Sequence, residues 1–184
     1  GHQVFGFDLS EDSLQAARDA GCQIAETAAA AASDRDVIVT MLPAGKHVVG
    51  VYQEIRSSLR PGSLMIDSST IDIESARIAH EIAADLGALS VDAPVSGGIM
   101  GAVNGTLTFM AGGEDAALDA ADPILQPMAG RVVRCGGNSA GQAAKVCNNM
   151  ILAITMIGTT EAFELGRRLG LTDQALFDVV STAS

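Results

Sequence analysis

A chain of 184 residues that is 48% hydrophobic and 18% charged is long and apolar enough to bury a core, which argues against a disordered segment. Eleven Lys and Arg against 22 Asp and Glu leave a net charge of −11, which argues against a nucleic-acid partner; no basic run offers itself to an anionic membrane. Cys22, Cys135 and Cys147 show no CxxC spacing and the three histidines are scattered, so the sequence holds no disulfide framework and no metal site and points to a reducing compartment.

In chain order, HQVFGFDLS (2–10) reads as a short strand ending in Asp8. Ser10 then caps a helix over 10–21 that carries acids in its first turn and Gly21 past its end. CQIAE and an Ala-rich helix follow. DVIVTMLP (36–43) is a continuous apolar run closed by Pro43, as expected of a strand buried on both faces. A helix over 46–62 stops at a Pro-Gly pair, and SLMIDSST (63–70) is the next buried strand. ESARIAHEIAADLG (74–87) has helical spacing, ALSVDAPVSGG (88–98) is a strand running into a Gly-rich loop, and GTLTFMAGG (105–113) alternates like a strand. A helix over 114–130 is expected to break at Pro123, and RVVRCG (131–136) is a last short strand. Strands alternating with helices predict a doubly wound α/β sheet. From Ala140 to Gly170 the pattern becomes one long helix, apolar almost all round, which reads as a buried connector into a helical domain. The expected domains are 1–137 and 138–184. The most apolar stretch, MILAITMIG, is too short to span a bilayer.

The acid ending the second strand of a dinucleotide-binding fold hydrogen-bonds the adenosine ribose, and Asp8 suits that role, although it equally suits the end of a surface strand. A glycine-rich phosphate loop belongs about 20 residues before such an acid, and only seven residues precede Asp8. The first strand and phosphate loop are therefore expected to lie outside this chain. The helical domain is expected to be truncated or completed by another chain.

Three loops fall at strand ends, where open α/β sheets bind ligands. MLPAGKHV (41–48) is weak by itself. DSSTI (67–71) offers hydroxyls to a nicotinamide ribose or amide, with an N-cap cluster for the next helix as the alternative, favoured for Ser68 and Ser69. DAPVSGG (92–98) offers a hydroxyl and backbone N–H groups as a nest for a carboxylate, with an ordinary turn as the alternative. Lys145 and Asn149 stand at i, i+4 in a run of small and apolar residues with little polar face to reach water from. An ammonium in such a place can serve as general acid or base, and the asparagine can orient a substrate. Cys147 reads as a core thiol on the opposite side of that helix.

DAPVSGG, GAVNGTLTFMAGG, GQAAKVCNNMILAITMIGTTEA and LGRRLGL, with MLP and DSSTI upstream, together resemble a β-hydroxyacid dehydrogenase over essentially the whole chain. Within that family they most resemble the branch acting on 3-hydroxyisobutyrate. The resemblance implies a Rossmann-like NAD-binding domain joined by a long helix to an all-α domain. It also implies NAD-dependent oxidation of 3-hydroxyisobutyrate to methylmalonate semialdehyde, a step of valine breakdown. Lys145 then matches the catalytic lysine, and Ser96, Gly97, Gly98 and Asn149 match substrate-binding residues. Leu42, Pro43 and Thr70 match cofactor contacts, and Asp8 matches the acid favouring NAD over NADP. His47 stands where similar enzymes often carry Asn. Ser139 stands where many carry Gly, and is expected to cap the helix there. The resemblance further implies a small β-hydroxy acid as partner and a homo-oligomer, dimer or tetramer. It implies a cytoplasmic place in a bacterium or the mitochondrial matrix in a eukaryote. Reduction of tartronate semialdehyde, and a non-catalytic dinucleotide-binding module, are the alternatives.

Overall fold

The computed structural model describes residues 2–183. The chain divides into two compact units, one reaching to Lys145 and one from Val146 onward.

In the first unit, β1 (Phe5–Gly6) leads through Asp8 into α1 (Glu11–Asp19). The Ser10 hydroxyl accepts the Ser13 N–H at 3.4 Å, Glu11 and Asp12 lie in the first turn and Arg18 in the last, so the charges match the helix dipole. β2 (Gln23–Ile24) pairs parallel with β1, and the two form a sheet of their own. Thr27 caps the short α2 (Ala28–Ala32).

A six-stranded sheet follows. β3 (Val37–Thr40), β4 (Leu64–Asp67) and β5 (Leu89–Asp92) are parallel neighbours, connected by α3 (Gly45–Glu54) and α4 (Ile73–Asp85). β6 (Val95–Ser96), α5 (Gly98–Val103), β7 (Leu107–Gly113), α6 (Asp115–Leu125) and β8 (Ala129–Gly136) complete it. β7 runs antiparallel to β5 and β6 and parallel to β8, so the sheet is mixed.

Alternation along β4 divides the core. Leu64 and Ile66 face a cluster with Val91, Phe109, Leu118 and Leu125, under α6. Met65 faces the other way, onto Val48, Tyr52, Ile55 and Ala79 of the α3 and α4 layer. Helices thus cover both faces, as the alternating pattern predicted. A fully buried side chain such as Met65, 0% exposed, contributes on the order of 2 kcal/mol.

Four expectations need correction. Among the described residues β3 lies at the end of its sheet and Val39 is 50% exposed, where burial on both faces was expected. α6 does not break at Pro123: one backbone donor is lost on an exposed face, and the Gln126 N–H still reaches the Asp122 carbonyl. The last strand is eight residues, not short, because β7 gives it a parallel partner along its length. Finally, the long helix α7 (Ala140–Arg168) leaves Met150, Ile151, Ile154 and Ile157 exposed, and Cys147 is exposed rather than a core thiol.

In the second unit α7 ends near Gly170, whose φ of +88° suits glycine, and α8 (Asp173–Ala183) follows. Arg167 donates to both carboxylate oxygens of Asp173, at 2.8 and 3.0 Å, joining the end of one helix to the start of the next. Among the described residues no helix is long and apolar enough to cross a membrane.

Candidate active site

Strand register places Thr40, Asp67 and Asp92 in one row across the C-terminal ends of β3, β4 and β5. All three are buried, at 7%, 3% and 2% exposed, so each polar group there needs a partner. Asp67 Oδ1 accepts the Thr40 hydroxyl at 2.7 Å and the Ser69 hydroxyl at 2.6 Å. Burial nevertheless pushes the Asp67 carboxyl above the usual carboxylate range, outweighing those bonds. Its Oδ2 has no partner. Ser69 Oγ also accepts the Leu42 N–H at 2.7 Å, which fixes the Met-Leu-Pro loop. Ser69 is thus a junction between strand ends, and Asp72, not Ser68 or Ser69, caps α4 by accepting the Ser75 N–H at 2.8 Å.

Asp92 plays the corresponding part for α7. Its Oδ1 accepts the Ser139 N–H at 2.8 Å and its Oδ2 the Gln142 N–H at 2.7 Å, so a carboxylate sits at the positive end of the helix. His80 Nε2 lies 3.1 Å from the same Oδ1. The Gln142 side chain, 0% exposed, accepts the Ile71 N–H at 3.1 Å and donates to the Ser69 carbonyl at 2.7 Å. Gly141 lets the helix come this close: a Cβ there would run into the Met110 and Asp92 carbonyl oxygens. The expected Ser139 cap does not form. Ser139 holds φ +68°, its buried hydroxyl has no partner, and its backbone N–H makes the contact to Asp92.

Three residues beyond Gln142, the half-buried Lys145 donates to the Val95 carbonyl at 2.7 Å and the Ser96 hydroxyl at 3.1 Å. Burial pushes its ammonium below the usual lysine range. Ser96 ends β6, and Gly97 (φ +128°) and Gly98 (φ +59°) turn the chain into α5 with backbone conformations that disfavour a side chain. Lys145, Ser96 and the two glycines therefore meet at one place. This cluster can hold an anionic oxygen by an ammonium, a hydroxyl and first-turn N–H groups that have no intrahelical acceptor.

The other predicted residues are dispersed. Leu42 is half-buried against the α3 and α4 layer, and Pro43 and Thr70 are exposed at the ends of neighbouring strands β3 and β4. Asp8 is exposed after β1 and accepts the Ser10 N–H at 2.8 Å. Asn149 is exposed in the second unit, one helical turn along α7 from Lys145. Asp92, Gln142, Ser69 and His80 were not singled out from sequence as parts of the site. The signal for Asp92 was a carboxylate in an otherwise apolar strand end; for Gln142 it was an amide one turn before the lysine. Among the described residues no group of three or more His, Cys, Asp or Glu could hold a metal ion.

The profile for the NAD binding domain of 6-phosphogluconate dehydrogenase matches residues 1–137, and that for the NAD-binding domain of NADP-dependent 3-hydroxyisobutyrate dehydrogenase matches 139–184. A solved structure of Mycobacterium tuberculosis 3-hydroxyisobutyrate dehydrogenase with L-serine superposes with a TM-score of 0.97 at 47% identity, over 100% of this chain and 63% of that one. The human mitochondrial 3-hydroxyisobutyrate dehydrogenase is 43% identical over 100% of this chain and 56% of its own length. An NAD-dependent L-serine dehydrogenase of Pseudomonas aeruginosa is 41% identical over 100% of this chain and 63% of its own length.

Proposed function

This chain belongs to the β-hydroxyacid dehydrogenase family, and we propose that the protein oxidises 3-hydroxyisobutyrate to methylmalonate semialdehyde with NAD, using Lys145 as general acid and base. The observation that carries the proposal is the seat of Lys145: a half-buried ammonium held within 3.1 Å of Ser96, beside two glycines at positive φ.

The residues at the sheet edge fit a dinucleotide. Pro43 and Thr70 stand exposed at adjacent parallel strand ends, and the Leu42 N–H to Ser69 bond ties their two loops together. These residues would flank the nicotinamide end. Asp8 commits Oδ1 to the Ser10 N–H, and its second oxygen would accept a ribose hydroxyl. A carboxylate there repels a 2′-phosphate, which favours NAD over NADP. NAD held there would supply the acceptor for the hydride of the carbinol carbon.

The chain's own residues do the rest. The Ser96-Gly97-Gly98 loop binds the substrate carboxylate through the hydroxyl and backbone N–H groups. Asn149 orients the substrate. Lys145, whose neutral amine is favoured by burial, enters the oxidation deprotonated and takes the hydroxyl proton at Nζ as hydride leaves. In the reverse direction it returns that proton and stabilises the developing alkoxide. The reaction belongs to valine breakdown.

Replacing Lys145 with Ala should lower kcat by a factor of about 100 or more while NAD affinity stays within threefold, since general acid–base catalysis contributes roughly 10²–10⁴. Turnover close to the parent's in that variant would overturn the role of Lys145. L-serine is a second reading, favoured by the 41% identity to an L-serine dehydrogenase. It shares the carboxylate and the β-hydroxyl and differs at the substituent on the carbon between them. Retention of the lysine and its seat weighs against a non-catalytic module.

A further inference from the structure

We propose that Gln142 is a positioning residue for Lys145, a clamp that fixes the lysine relative to the cofactor loop; this rests on the reading of Lys145 as the acid–base group. The Gln142 carboxamide is fully buried at the sheet edge, with 0% exposure. Its Oε1 accepts the Ile71 N–H at 3.1 Å, and its Nε2 donates to the Ser69 carbonyl at 2.7 Å. Its own N–H is held by Asp92 at 2.7 Å. Ser69 in turn accepts the Leu42 N–H on its hydroxyl at 2.7 Å. One unbroken chain of bonds therefore runs from the Leu42-Pro43 loop through Ser69 and Gln142 to the helix that bears Lys145.

Core filling does not require an amide here. A methionine of similar size would occupy the space without the cost of burying two polar atoms, and buried amides are tolerated only when fully bonded. What the amide adds is direction. Dispersion contacts allow a helix to slide and rotate by fractions of an ångström, whereas two opposed hydrogen bonds from one planar group fix both rotation and height. Residues at i and i+3 share a helix face, so the constraint at Gln142 is passed to Lys145 one turn later. Proton transfer concerted with hydride transfer needs that constraint, because a misplacement of about 1 Å costs about 10²-fold in rate.

The test uses the NAD-bound enzyme and two variants. Gln142→Met keeps the volume and removes both side-chain bonds. It should lower kcat about 100-fold, with the NAD dissociation constant within threefold of the parent. Gln142→Glu can imitate the amide only while its carboxyl is protonated and donates to the Ser69 carbonyl. Its kcat relative to the parent should therefore be near one at low pH and fall as pH rises. A crystal structure of Gln142→Met should show Lys145 Nζ moved away from Ser96 Oγ, a distance of 3.1 Å here. Three results would each overturn the proposal: Met-variant turnover within threefold of the parent, a Glu-to-parent ratio that does not change with pH, or an unmoved Lys145 in the crystal. Failure of both variants to fold at any pH would assign Gln142 a structural role alone and also overturn it. A parent inactive on every β-hydroxy acid would instead sink the proposed reaction, and the crystal distance would still decide the clamp.

Discussion

Ser139 carries a side chain where the backbone is left-handed, at φ +68°, and buries a hydroxyl that has no partner. A non-glycine residue in that region costs about 1–2 kcal/mol, partly offset by the greater freedom glycine has when unfolded. Ser139→Gly should therefore stabilise the protein by about 1 kcal/mol, read as a higher urea midpoint. A lower midpoint would mean that the hydroxyl has an unseen role. The buried Asp67 gives a pH signature. Its carboxyl is raised, so the stability it allows is fully present below the ordinary carboxylate pKa of about 3.9 and is lost as pH rises through the folded value. Asp67→Asn cannot ionise, so the variant should gain on the parent as pH rises from about 4 toward neutrality. A constant difference across that range would show that Asp67 is not raised. The sequence showed both residues plainly but not these properties. Backbone φ and the absence of a hydrogen-bond partner arise from tertiary contacts between segments far apart in the chain.

At the scale of elements, the start of α7 decides the site. Gly141 and Gly112 bring helix and strand into backbone contact: a Cβ at Gly112 would lie 2.8 Å from the Ala140 N, and one at Gly141 would lie 2.9 Å from Asp92 Oδ2. Gly141→Ala should force the helix off the sheet, costing about 1–3 kcal/mol in stability and lowering kcat more than it weakens NAD binding. An Ala variant with parent-like stability and turnover would show that the helix tolerates the shift. The elements themselves were legible, because caps such as Ser10 and apolar runs such as LMID act through local rules. Less legible was the fate of edges. DVIVT reads as a fully buried strand, yet among the described residues β3 lies at the end of the sheet and Val39 is 50% exposed. Pro123 reads as a break, yet α6 needs only one donor fewer to pass it. Neighbours in space, not composition, settle both.

For the molecule as a whole, the alternating pattern identified an α/β unit with helices on both faces, and the register row Thr40–Asp67–Asp92 places the loops proposed to face a ligand at one edge. The antiparallel β5–β7 pairing was not legible, since strand order depends on long-range contacts that periodicity does not encode. The central claim joins this edge to a reaction at Lys145, and NADH formation tests it most directly. The NAD-bound enzyme would be given 3-hydroxyisobutyrate, L-serine, glycerate and 3-hydroxypropionate at matched concentrations. The account predicts the highest kcat/KM with 3-hydroxyisobutyrate. No NADH from any of the four, in a protein that still binds NAD, would contradict it.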